Sequence, residues 1–91
     1  MKAFNINIDH RGKELTLTII PFEDYYKIVY FGGILGAVKQ VGSGWILLTQ
    51  EQIDPGQFAP YDYKLTPEGE DISLGIDEIN QIAGAIENHL K

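Results

Sequence analysis

The 91-residue chain predicts an α+β domain: a five-stranded antiparallel sheet, with scope for a sixth strand, and one C-terminal amphipathic helix packed on one face. Three observations carry this. Residues 3–9 and 14–20 alternate apolar and polar side chains on either side of a glycine-bearing turn. Residues 25–48 hold three runs rich in β-branched and aromatic residues, separated by glycines. Ile79, Ile82, Ala83, Ile86 and Leu90 recur at spacings of three and four, which places them on one stripe of a helix. Strands are expected at about 3–9, 14–20, 25–31, 34–40 and 45–49, an irregular segment at 50–74 and a helix at about 75–90, all in one domain spanning 1–91.

The first hairpin sets Phe4, Ile6 and Ile8, then Leu15, Leu17 and Ile19, on an inner face, with Asn5, Asn7, Asp9, Glu14, Thr16 and Thr18 outside. His10-Arg11-Gly12-Lys13 is the turn, with glycine where a left-handed residue is needed. Pro21 is expected to end the second strand.

The meander follows. Gly32-Gly33 reads as a two-residue hairpin turn and Val41-Gly42-Ser43-Gly44 as a four-residue loop. This register opposes Phe31 with Ile34, Val29 with Gly36, Lys27 with Val38, Val38 with Leu47 and Gln40 with Trp45. One face then holds Val29, Phe31, Ile34, Val38, Trp45 and Leu47; the other holds Tyr26, Ile28, Tyr30, Leu35, Ala37, Ile46 and Leu48. Both faces are apolar. Gly36 inside a strand points to a neighbouring aromatic ring lying over it.

Thr49 and Gln52 have capping-box spacing, which suits one helical turn. Tyr61, Tyr63 and Leu65 alternate with Asp62 and Lys64, as in a short strand, and Thr66-Pro67-Glu68-Gly69 reads as a turn. In the last helix, Asp77 and Glu78 open the first turn and His89 and Lys91 close the last, each matching the helix dipole. Gly84, flanked by Ala83 and Ala85, suggests a close helix-to-sheet contact. The strands either run as a plain meander or let the first hairpin dock beside a different strand.

Net charge is −6. Residues 1–50 carry five Lys/Arg against four Asp/Glu, and residues 51–91 two against nine. An acidic chain without a basic cluster lacks the footprint for nucleic acid or anionic membranes. No apolar run nears the ~20 residues that cross a bilayer. There is no cysteine, and Asn5, Asn7 and Asp9 interrupt any secretory signal, so a cytoplasmic address is expected.

The sequence offers no catalytic constellation, no cofactor fingerprint and no metal-ligand spacing. His10 and His89 are the only histidines and lack a one-face spacing; His10 reads as an exposed turn residue. The carboxylates Glu68, Glu70, Asp71, Asp77 and Glu78 do not follow a calcium-loop pattern. Folding would have to bring Glu23, Asp24 and His10 together before acid–base chemistry became available.

One helix covers one face, so the second apolar face needs the 50–74 segment or another chain. A non-catalytic protein–protein interaction module is therefore expected, most simply a homodimer formed through an apolar sheet face or edge. The candidate surface is Tyr26, Tyr30, Trp45, Tyr61 and Tyr63, aromatic groups with apolar bodies and polar tips. The alternative is a small-molecule-binding domain with the 50–74 segment as a lid over an aromatic face.

Overall fold

The computed structural model describes residues 2–54, 56, 59–60 and 74–90. Five strands form a plain antiparallel meander in the order β1 (Phe4–His10), β2 (Lys13–Phe22), β3 (Tyr25–Tyr30), β4 (Gly33–Val41) and β5 (Gly44–Leu48). A single 3₁₀ turn, Gln50–Gln52, follows, then a short strand β6 (Ala59–Pro60) and the helix α1 (Ile76–Leu90). β6 pairs in parallel with the start of β4, Gly33 opposite Ala59.

Every link of the meander is a two-residue loop: Arg11-Gly12, Glu23-Asp24, Phe31-Gly32 and Gly42-Ser43. Arg11 and Gly12 have φ of 53° and 79°, and Phe31 and Gly32 have 50° and 76°. Positive φ at both central positions is the type I′ pattern, whose twist matches that of the flanking strands. The β3–β4 turn is thus Phe31-Gly32, one residue earlier than Gly32-Gly33. The β4–β5 loop holds two residues rather than four, with the expected register of Gln40 opposite Trp45 and Val38 opposite Leu47.

β2 runs through Pro21 to Phe22 instead of stopping at the proline. In a two-residue hairpin the closing pair, Phe22 and Tyr25, is hydrogen-bonded, so alternation turns the nitrogen of Pro21 towards β1. β1 has already ended there, its Phe4 lying opposite Ile19, so the missing N–H breaks no ladder bond.

The β3–β4 pairing shifts between Ile28 and Val29: Val29 faces Ile34, whereas Ile28 faces Gly36 and Tyr26 faces Val38. Leu35 is the extra residue of a β-bulge. Beyond it the side-chain parity of β4 and β5 is exchanged relative to the unbulged register. Val38, Trp45 and Leu47 therefore join Tyr26, Ile28 and Tyr30, while Ala37, Ile46 and Leu48 join Val29 and Ile34.

The first of these faces carries α1. Ile6, Ile8, Leu15, Leu17, Ile19, Ile28 and Val38 pack against Ile82 and Ile86. Helix entry is fixed by Gly75, whose carbonyl accepts from the Ile79 N–H at 3.0 Å and whose N–H donates to Glu78 Oε1 at 2.8 Å. That is the carboxylate half of a capping box. The stripe frays at its end, where Leu90 is exposed. A Cβ on Gly84 would meet nothing within 4 Å, so this glycine marks no close contact with the sheet. Gly36 does mark a close approach, but to leucine methyls rather than an aromatic ring: a Cβ there would lie 3.3 Å from Leu47 Cδ1 and 3.5 Å from Leu74 Cδ1.

The β3–β5 part of the second face is covered by the chain itself. Ile53 is buried among Tyr25, Val29, Ile34, Ala37 and Leu48. The Asp54 N–H donates to the Tyr25 hydroxyl at 2.9 Å, fastening the returning chain over β3. The capping-box turn positions this cover: Thr49 N–H and hydroxyl both reach Gln52 Oε1, at 3.0 and 3.2 Å, and Gln52 N–H donates to the Thr49 carbonyl at 3.0 Å. Among the described residues no helix is long and apolar enough to cross a membrane.

Candidate functional site

The helix covers one face and the returning chain covers the β3–β5 part of the other, whose β1–β2 part turns polar side chains outward; the two edges of the sheet differ. In a two-residue hairpin the closing pair is hydrogen-bonded and such pairs alternate along the ladder. His10 and Lys13 close the first hairpin, so Ile8 and Ile6 also bond to β2, and Asn5, Asn7 and Asp9 turn their backbone groups outward. At Asp9 a side chain meets them. The Asp9 N–H donates to Gln81 Oε1 at 2.7 Å and Gln81 Nε2 donates to the Asp9 carbonyl at 2.8 Å. The carboxamide takes the place of a neighbouring strand. Side chains add polar cover on the outer face, where Thr16 and Thr18 donate to Asn7 and Asn5 at 2.8 and 2.9 Å.

On β5 the closing pair is Val41–Gly44, so Gly44, Ile46 and Leu48 bond to β4 and Trp45 and Leu47 point their N–H and C=O groups outward. Among the described residues no strand lies beyond β5. Residues 41–49 contain no charged side chain. Val41, Ile46 and Leu47 are 53%, 47% and 42% exposed. Sheet edges are commonly protected by charges, proline or a cover, and β5 has none of the first two.

The aromatic candidates divide. Tyr26 and Trp45 meet on the helix-bearing face, ring centroids 5.8 Å apart, and Trp45 Nε1–H donates to Glu87 Oε2 at 3.2 Å. Trp45 is thus anchored to α1 at one end of the edge strand. Tyr30 lies on the same face but is only 7% exposed, with its ring against Phe31 at 4.6 Å, so it serves the core. Tyr61 and Tyr63, the short strand expected around them and the Glu68, Glu70 and Asp71 cluster lie outside the described residues. Ile46 and Leu47, the most exposed apolar side chains of β5, were hidden from sequence reasoning by the bulge, which alters the face each occupies.

Two buried polar groups stand out. His10 ends β1 and is 1% exposed, not an open turn residue. Its Nδ1 lies 3.1 Å from Glu78 Oε2; an ionised carboxylate only accepts, so Nδ1 carries the proton. Nε2 is buried with no hydrogen-bond partner among the described residues. The Gly75 N–H and then His10 hold the Glu78 carboxyl below its usual range. Lys27 is buried on the opposite face, its Nζ 4.1 Å from the Phe22 ring centroid, a cation–π contact.

His10 and Glu78 face one another, and a depression of about 540 Å³ opens against Glu78, Asp9 and Gln81. The set Glu23, Asp24 and His10 is not brought together. Glu23 and Asp24 form the β2–β3 turn and His10 sits at the β1–β2 turn, at opposite ends of β2. Asp24 instead pairs with Lys39 at 2.8 Å, which lowers its pKa. A depression of about 390 Å³ beside Phe22, Tyr25 and Tyr26 opens at that turn. No group of three or more His, Asp or Glu side chains is placed to hold a metal among the described residues.

No family model matches the sequence, and comparison with curated proteins and with solved structures returns no match.

Proposed function

We propose that this chain is a non-catalytic interaction module that associates with itself through the β5 edge. The observation that carries the reading is the asymmetry of the two edges. Gln81 caps Asp9 on β1, where the other outward residues are the polar Asn5 and Asn7, whereas the backbone groups that Trp45 and Leu47 turn outward have no partner among the described residues and belong to an uncharged, half-exposed apolar strand. Backbone groups on such an edge are a ready template for another strand. The edge suits a second copy because the outward groups of Trp45 and Leu47 flank Ile46 symmetrically, as a two-fold axis requires, and residues 41–49 place no charge there for two copies of a −6 chain to repel across.

A five-residue edge is small beside the roughly 800 Å² per partner of a standard interface, so the association is concentration-dependent rather than permanent. Sedimentation across a concentration series tests it. The native chain shifts from about 10.2 kDa towards twice that mass, and Ile46→Lys, which places a charge on the edge, stays at the lower value. A native chain that remains monomeric throughout contradicts the reading.

A further inference from the structure

We infer that two copies pair β5 with β5 antiparallel about a two-fold axis through Ile46, with Trp45 of one copy opposite Leu47 of the other. This rests on the self-association reading and adds its geometry. The outward groups of β5 belong to Trp45 and Leu47, which flank Ile46 symmetrically. With the axis at Ile46, each Trp45–Leu47 pair exchanges both of its hydrogen bonds, and the two-fold axis repeats the exchange. All of Gly44–Leu48 is then used.

The neighbouring registers are poorer for reasons visible in the chain. An axis at Leu47 would oppose Trp45 with Thr49, but the Thr49 N–H already donates to Gln52 Oε1 and its carbonyl already accepts from Gln52. An axis at Trp45 would oppose Leu47 with Ser43, which belongs to the Gly42-Ser43 turn and not to the strand. Odd registers oppose outward groups with inward ones and lose the bonds altogether. The Ile46 register also matches side chains: Trp45 and Leu47 meet on the helix-bearing face, and the two Ile46 side chains meet at a non-hydrogen-bonded position, where opposed residues lie closest.

The chain has no cysteine, so disulfide trapping reads this register without background. Residues opposed at a non-hydrogen-bonded position have Cα atoms about 4.5 Å apart, within disulfide reach. Ile46→Cys and Leu47→Cys, both at half-exposed positions, are oxidised side by side at a concentration where the native chain is dimeric by sedimentation. The expected result is at least tenfold more covalent dimer for Ile46→Cys, whereas Leu47→Cys cross-links efficiently only when mixed with Trp45→Cys. Preferential cross-linking of Leu47→Cys alone overturns the Ile46 axis and leaves self-association standing. A dimer that neither variant traps, both variants still sedimenting as dimers when reduced, overturns β5 pairing. A native chain that never dimerises overturns the reading beneath it.

Discussion

The Gln81 carboxamide closes the backbone of Asp9 in both directions, accepting its N–H at 2.7 Å and donating to its carbonyl at 2.8 Å across 72 residues of sequence. A helix side chain thereby occupies the position of a sixth strand's backbone at the β1 edge. Gln81→Ala removes both bonds, each worth about 1 kcal/mol net. A loss of roughly 1–2 kcal/mol in urea unfolding is predicted. On the proposed β5 pairing, opening the β1 edge at Asp9 should also yield species larger than a dimer, because two open edges propagate. Unchanged stability and unchanged mass would show that the Gln81 contact does not protect this edge.

Glu78 links helix entry to β1, accepting from Gly75 and facing His10. Its folded pKa is lowered, chiefly by the Gly75 N–H and next by His10. A depressed carboxyl stabilises the fold above its unfolded pKa, and that stability is lost as pH falls through the folded value. Glu78→Gln is predicted to cost about 1 kcal/mol at neutral pH, the scale of one exposed charge-assisted cap. The difference from the native chain should vanish on acidification below the normal glutamate range. Urea melts at several pH values measure it; a difference that grows on acidification would reverse the assignment.

Gly84 sits inside α1 with open space where a Cβ would go. Alanine gains about 1 kcal/mol over glycine in a helix interior. Gly84→Ala should raise stability by about that amount, read from the shift in the urea midpoint at constant slope. A destabilised variant would mean that the space is filled in solution.

Lys27 is buried on the second face, with its Nζ over Phe22. Its stem fills core volume, whereas among the described residues its charge has only the ring contact. Lys27→Met keeps the stem and is predicted to match or exceed the native stability, while Lys27→Ala loses about 2–3 kcal/mol by leaving a cavity. Equal losses for both variants would assign the stabilisation to the cation.

Much of this architecture was legible in the residues. Alternation in 3–9 and 14–20 fixed the first hairpin, and the Ile79–Ile82–Ile86 stripe fixed the buried side of α1. The capping-box spacing of Thr49 and Gln52 located the turn that redirects the chain. The faces of β4 and β5 relative to β3 were not legible, because the bulge at Leu35 shifts the register by one residue and no local pattern in 25–41 marks it. Phe31 at φ 50° hid the turn position, since a bulky residue seldom adopts that conformation. The burial of His10 was equally silent, as its partner Glu78 lies 68 residues away. The candidate edge depends on the strand order and on the alternation of bonds that turns the backbone groups of Trp45 and Leu47 outward, neither of which is local in sequence.

Sedimentation of the native chain beside Ile46→Lys, at matched concentrations with the fold of each checked by circular dichroism, tests the central claim most directly. The account predicts a native chain that moves from monomer to dimer as concentration rises and a folded variant whose dissociation constant is at least tenfold weaker. A native chain that stays monomeric, or a folded Ile46→Lys that dimerises as well as the native chain, would contradict association through β5.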